Sequence, residues 1–285
     1  LASNQNAAEY IAASDKDLVS FDSDGFTLGA GEDWASVNQT NGTTHVAWNW
    51  KANGSGSSNT DGSITSTVSA NTDAGFSIVA WTGSGSAGTI GHGLSSTPEM
   101  IITFARSNGD SHRTYHSGLA DPTEDYLKLD TTDAKIDGSF TTWNSTAPTS
   151  SVFSVHTDNS NNGSGRTYVG YCFHSVDGYS KVGSYTGNGS TDGTFVYTGF
   201  RPAFIMVKRT DNTGHWEIHD TARSVHNLST KRIWPNYSYA EDSDGAWDIL
   251  SNGFKFRTTH DSINASGGTY IYMAFAETPF KNSNG

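Results

Sequence analysis

YSKVGSYTGNGSTDGTFVYTGFRPAFIMVKR, residues 179–209, has a second version in the same chain: FSIVAWTGSGSAGTIGHGLSSTPEMIITFAR, residues 76–106. Trp81-Thr82-Gly83 aligns with Tyr185-Thr186-Gly187, 104 residues later, and each copy runs from a Gly-rich turn through a Pro into an apolar run with a basic end. Self-similarity at a fixed spacing marks an internal duplication, which outranks any single motif in deciding a fold.

The duplication extends outward from these copies. His112–His116 lies opposite His215–His219, and Ser23-Asp24-Gly25-Phe26 matches Ser251-Asn252-Gly253-Phe254. A Thr-led apolar stretch occurs three times, at Thr44–Trp50, Thr167–Phe173 and Thr269–Phe275. The matches divide the chain into residues 1–52, the C-terminal half of a first repeat; 53–75, a Ser/Gly/Thr-rich linker; and two complete repeats, 76–178 and 179–285.

Reading every second residue of the Thr-led stretches puts Val46, Trp48 and Trp50 on one face, and likewise Val169, Tyr171 and Phe173, then Ile271, Met273 and Phe275. The positions between are often small, such as Ala47, Gly170, Cys172 and Ala274, as strands packed between layers need. No stretch of helical length carries a 3.6-residue period. With 31 Gly and abundant Ser, Thr and Asn for tight turns, the expectation is all-β: tandem antiparallel β-sandwich repeats of jelly-roll type.

Composition narrows function. Aromatic residues make up 12 % of the chain, enough apolar area to argue against disorder. A formal charge of −12 opposes sequence-independent nucleic-acid binding, which needs basic groups against phosphates. The single cysteine, Cys172, excludes an intrachain disulfide and reads as a small buried thiol. No apolar run reaches the roughly 18 residues of a membrane-spanning helix, so no membrane insertion is expected. Leu1 stands where an initiator Met would, and a fragment or processed product is expected.

The paired His-x-x-x-His segments would converge on a metal from a helix, but on a strand they spread by roughly 13 Å, so they are assigned to the polar face of a strand with no metal. Asp-rich turns at 22–25, 157–162 and 242–245 offer some oxygens for Ca²⁺, yet none has a complete Ca²⁺-loop spacing and turn chemistry accounts for them. Glu99 and Glu217 stand alone among apolar or aromatic neighbours, each read as a solvated group. No carboxylate pair, nucleophile elbow or phosphate loop is present, so an enzyme is not expected. Aromatic residues in loop-like segments are the candidate ligand contacts, since sugar rings stack on aromatic faces: Trp34, Tyr126, Trp143, Trp234, Tyr237 and Tyr239. For Trp143 and Trp234 the alternative is a plug at the end of a sandwich.

Tyr185-Thr-Gly-Asn-Gly-Ser190, Gly199-Phe-Arg-Pro202 leading into Phe204–Lys208, and Thr269–Glu277 with Pro279-Phe280 resemble a repeated β-domain of uncharacterised function in structural proteins of marine tailed bacteriophages, cyanophages included. The resemblance implies a virion-surface or extracellular component, part of a tail fibre or spike, with other virion proteins as partners. It supplies no catalytic residue. A host-surface glycan as ligand and a homo-oligomer, trimeric for a fibre, are the linked expectations. The alternatives are a capsid decoration protein or filament subunit without ligand, and a secreted carbohydrate-binding module or glycan depolymerase.

Overall fold

Short runs of β-branched and aromatic residues between Gly and Asn turns fold as antiparallel sheets, and the chain is all-β. A computed structural model describes residues 1–10, 16, 18–29, 42 and 44–278. They form two compact units, Glu9–Trp50 and residues 1–8 together with 51–278.

In the smaller unit, β1 (Leu18–Phe21) and β2 (Phe26–Leu28) make an antiparallel hairpin. Asp22 secures its turn, accepting hydrogen bonds from the hydroxyls of Ser20 at 3.0 Å and Thr27 at 2.7 Å. Thr44–Trp50, expected as a strand, joins no ladder. It keeps the expected alternation, with Val46, Trp48 and Trp50 half-buried and His45, Ala47 and Asn49 exposed. Its counterparts Thr167–Phe173 and Thr269–Ala276 each pair on both sides, and no such flanking strands occur among the described residues of this unit.

The larger unit begins with β3 (Ser57–Asn59) and β4 (Ser66–Asn71), followed by β5 (Phe76–Thr82), β6 (Gly88–Gly91), β7 (Met100–Ala105), β8 (Arg113–His116), β9 (Asp125–Lys128) and β10 (Ile136–Asp137). The first repeat closes with α1 (Phe140–Trp143), β11 (Val152–Val155), α2 (Asn159–Asn162) and β12 (Thr167–Phe173). The second runs β13 (Ser180–Thr186), β14 (Phe195–Tyr197), β15 (Pro202–Arg209), β16 (Trp216–Asp220), β17 (Trp247–Leu250), β18 (Gly253–Phe256), α3 (Asp261–Asn264) and β19 (Thr269–Ala276). Residues 53–75 are therefore not a linker: β3 and β4 extend the first repeat's sheet. Val68 of β4 is buried in the core, and the Ser66 hydroxyl donates to the Gly91 carbonyl at 2.9 Å, a cross-link that a Ser-rich edge strand can make where a linker would leave both groups to water.

The two repeats share one strand order. β8-β7-β12-β5 within the eight-stranded sheet β10-β9-β8-β7-β12-β5-β4-β3 corresponds to the four-stranded sheet β16-β15-β19-β13. The pair β11-β6 corresponds to β18-β14, to which β17 is added. Inside the first repeat Val79, Trp81, Ile101, Tyr168 and Cys172 meet Ile90, Phe153 and Val155; inside the second Ile205, Val207, Tyr270, Tyr272 and Ala274 meet Trp247, Ile249, Phe254 and Phe256. Burial pushes the Cys172 thiol up to about 12, so it behaves as a core hydrophobe.

The opposite faces of the two large sheets are apolar too. Met100, Ile102, Phe104 and Phe173 on one, with Met206, Ile271, Met273 and Phe275 on the other, are all at most 8 % exposed. Phe173 and Phe275 meet edge to face at 6.1 Å, the Trp216 indole donates to Lys128 O at 2.9 Å, and His116 Nε2 reaches Tyr272 O at 3.3 Å. The repeats thus pack sheet on sheet, and strands β12 and β19 are covered on both sides, as their alternating large and small residues require.

The same packing overturns the reading of the histidine segments. All of β16 is buried, with Glu217 and His219 at 1 % and 0 % exposure, and His112 and His116 are at 0 %. A strand in a sheet covered on both faces has no solvent side, so its polar residues must be satisfied inside. His116 shows how: Nδ1 accepts the Gly118 N–H at 2.9 Å while Nε2–H points at Tyr272 O, and burial holds its pKa down to about 4.

The duplicated Gly turns are held by one device in both repeats. Asn162 accepts the Ser84 N–H and donates to Ser86 O and His156 O; Asn264 accepts the Asn188 N–H and donates to Ser190 O and Thr258 O. Gly85 and Gly189 sit at φ +71° and +66°, the left-handed region in which L side chains are strained, which fixes the motif's second Gly.

Candidate ligand-binding surface

Strand β16 and the segment after it bring three of the candidate aromatic residues together. His215 sits at the start of β16, and an Ile218–Ile233 bridge draws the following segment back across the strand. There Trp234-Pro235-Asn236-Tyr237 makes a tight turn, its Tyr237 N–H donating to Trp234 O at 3.2 Å, a position where Pro and Asn suit the backbone. Asn236 is buried and locks the turn to the strand: its Oδ1 accepts the Trp216 N–H at 3.0 Å, and its Nδ2 donates to His215 Nδ1 at 2.9 Å. Ser3, from the chain's first residues, donates to Pro235 O at 2.7 Å on the other side.

The result is a continuous aromatic surface. The His215 ring lies 6.0 Å from Trp234 and 5.1 Å from Tyr237, and Tyr237 meets Tyr239 edge-on at 4.0 Å. Tyr237 and Tyr239 are 38 % and 66 % exposed, whereas Trp234 is half-buried. Arg232 lies over the Trp234 ring at 5.2 Å and is anchored by a bidentate pair with Asp242, at 2.8 and 3.1 Å. Burial, opposed by the Asn236 hydrogen bond and joined by the Arg232 charge, lowers the His215 pKa, so its imidazole is neutral at neutral pH and accepts from Asn236. The hydrogen bond to Tyr239 raises the Tyr237 phenol, which keeps the Tyr237 ring uncharged. The exposed rings of Tyr237 and Tyr239 beside half-buried Trp234 can take the apolar face of a sugar, while buried Asn236 and Arg232 hold the turn in place.

A protein family described as "Domain of unknown function (DUF7483)" matches residues 1–279. The chain belongs to this family. No curated protein and no solved structure matches it. Membership in DUF7483 covers both units and both repeats, and the family's description assigns no activity, so function has to be argued from the surface itself.

The other candidates fall elsewhere in this DUF7483 chain. Trp143 is 2 % exposed and packs edge-on against Tyr115 at 5.8 Å in the first repeat's core, the plug that was the alternative to a ligand contact. Tyr126 is 9 % exposed beneath Arg113, 4.4 Å from its ring centroid, so neither of these two offers a face to a ligand. Trp34 lies outside the described residues. Among those residues no group of three or more His, Cys, Asp or Glu is placed to hold a metal ion. The acidic turns spend their carboxylates on the protein: Asp158 caps α2 through the Ser160 N–H and pairs with Arg113 at 2.6 Å, and Asp242 holds Arg232.

Glu217, expected in solvent, is enclosed between the sheets with His219, whose ring stacks on Trp247 at 4.1 Å. Burial raises the Glu217 pKa to about 7 against the opposing Arg232 charge, 3.6 Å away. Perturbation of this kind marks functional sites only where the group lines a cleft, and at 1 % exposure Glu217 has no face for a substrate. Glu99, half-buried, accepts the Ser175 N–H at 2.5 Å at the junction of the repeats. Sequence reading missed His215, Arg232 and Asn236 as parts of the surface. Only the Trp-Pro-Asn-Tyr turn hinted at it, because the contacts that join it to β16 span about twenty residues of irregular chain.

Proposed function

We propose that this protein is a non-enzymatic surface-binding module whose second repeat contacts glycans through Trp234, Tyr237 and Tyr239. The observation that carries this reading is the gathering of those three residues with His215 into one aromatic surface, on a turn fixed by buried Asn236 and backed by buried Arg232. Two exposed, adjoining tyrosines cost apolar exposure with no return in the folded chain, and a stacking ligand would recover it. The resemblance of the repeat motifs to phage structural proteins supplies the setting: a virion appendage, fibre or spike, reading a host-surface polysaccharide. In such a setting weak single sites suffice, because several copies multiply avidity.

Saturation-transfer NMR with a panel of mono- and disaccharides tests the reading. Signal transfer to at least one sugar is expected from wild type, falling by about tenfold in apparent affinity for Trp234→Ala, which corresponds to roughly 1.4 kcal/mol. No transfer to any sugar from folded protein, or transfer indifferent to Trp234→Ala, would remove the proposal.

A further inference from the structure

We propose that strand β14 carries a second carbohydrate surface, a strip on which Phe195 and Tyr197 take a chain of uncharged polysaccharide. It shares no residue with the Trp234–Tyr239 turn and does not rest on the reading of that turn. Burial alternates along β14: Val196 is 5 % exposed in the second repeat's core, while Phe195 and Tyr197, on the outward face, are 42 % and 65 % exposed.

The duplication supplies the comparison. Val196 opposite Phe254 matches Ile90 opposite Phe153, which sets Phe195 and Tyr197 at the positions of Thr89 and Gly91. In the first repeat the chain itself closes these positions. Ser63 N–H donates to Thr89 Oγ1, Thr89 N–H to Ser63 Oγ and Ile64 N–H to Thr89 O, each at 2.9 Å. Asn59 lies so close over Gly91 that a Cβ there would collide with its amide oxygen. Where the face is closed the residues are small, and where it is open they are aromatic, the reverse of what solubility alone would select.

The surroundings of the two rings name the ligand. Both rest against glycine backbone: an added Cβ would fall 3.0 Å from two atoms of the Phe195 ring at Gly253, and 3.7 Å from the Tyr197 hydroxyl at Gly199. Positions i and i+2 of a strand are about 7 Å apart, so adjoining units of one sugar chain can each meet a ring. Beside the rings runs a series of ion pairs, Lys255–Asp192 at 2.7 Å, Arg257–Asp192 at 3.1 Å and Arg257–Asp248 at 2.5 Å, with Lys255 directly opposite Phe195. The Lys255 hydrogen bond holds the Asp192 carboxyl below the usual carboxylate range, so the series stays ionised at neutral pH. Its two bases and two acids cancel, which leaves no net charge to select an acidic polymer, yet they keep donors and acceptors for hydroxyls. A protein partner fits less well, because the core of such an interface is depleted of charge and the Asp192 side chain here is 78 % exposed. An open strip holds a long polymer through several units and a short glycan only weakly.

Native electrophoresis of the full chain in gels cast with a soluble neutral polysaccharide (dextran, hydroxyethyl cellulose or galactomannan) or with acidic alginate tests this. Wild type is expected to be retarded in at least one neutral gel and to run in alginate as in a plain gel. The variant Phe195→Thr, Tyr197→Ala is expected to need about tenfold more polymer for the same retardation. Tyr197→Trp, which keeps a ring, is expected to run as wild type. Both positions are exposed, so unfolding at the wild-type temperature is expected; should the double variant not fold, Tyr197→Ala alone reads the same loss at smaller size. Retardation abolished by Tyr237→Ala, Tyr239→Ala but unmoved by the β14 variant would overturn this proposal and leave the turn's role standing, and the opposite pattern would leave the strip standing without the turn. No retardation by any neutral polymer, or retardation in alginate alone, would overturn it. Self-association that Phe195→Thr, Tyr197→Ala abolishes would overturn it equally, by giving the strip to a protein.

Discussion

Asn162 and Asn264 are the residues on which the duplicated turn depends, and neither stands inside it. Each amide makes four hydrogen bonds, three of them to groups more than seventy residues away. Replacing either by Ala strands several buried partners at once, at about 1 kcal/mol or more apiece. Asn162→Ala and Asn264→Ala are each expected to lose roughly 2–4 kcal/mol in urea unfolding, and by similar amounts; a silent result for one would break the equivalence of the repeats. The Gly-Ser-Gly and Gly-Asn-Gly turns were legible in the sequence from their spacing, but their clamps were not, because a hydrogen bond across such a separation leaves no local pattern. Glu217 was legible as unusual and misplaced as solvated. Its pKa is raised by burial from the usual carboxylate value to about 7, so the folded chain holds a proton that the unfolded chain releases from about pH 4.5 upward. Its contribution to stability is full below that pH and lost as pH rises through 7. In Glu217→Gln the titration is gone, so stability relative to wild type is expected to rise between pH 4.5 and 7.5, by on the order of 2–3 kcal/mol. A difference independent of pH, in urea titrations at the two ends, would show that Glu217 does not stay protonated when folded.

Paired strands show the duplication adjusting itself. In the first repeat Val79 lies opposite Gly170; at the matching positions of the second, Gly183 lies opposite Tyr272. Large and small have changed places across the ladder. A Cβ on Gly170 would sit 3.1 Å from the Trp81 ring, and one on Gly183 2.8 Å from the Tyr272 hydroxyl, so each Gly exists to admit a ring. Gly183→Val is expected to cost about 1–3 kcal/mol by overpacking, and Gly183→Val with Tyr272→Gly to cost at least 1 kcal/mol less than the sum of the two single changes. Additivity in thermal or urea unfolding would mean that the pair is not coupled. At this scale the sequence was largely readable: the Thr-led strands β12 and β19, their two faces and their small positions all follow from alternation. Residues 53–75 were misread because Ser, Thr and Asn in an edge strand look like a linker, and Thr44–Trp50 because alternation specifies a face but not a pairing partner.

For the whole molecule, packing of the repeats through the faces that carry Met206, Met273 and Phe173 uses the outward side of each large sheet as a second core. What projects from the β16 edge is the Trp234–Tyr239 turn, with Tyr237 and Tyr239 exposed, and this is the surface proposed to bind. How the repeats stack could not be read from sequence, since an outward face of Ile271, Met273 and Phe275 implies a cover without naming it; the site was half legible, as a list of loop aromatics from which two belonged to the core. The direct test is a glycan array probed with the full chain and with Tyr237→Ala, Tyr239→Ala at matched concentration. Wild type is expected to bind a restricted set of glycans and the double variant to lose that set while unfolding at the same temperature. Equal binding by both proteins, or no binding by wild type to any glycan, would contradict the claim that this surface is what the protein reads its ligand with.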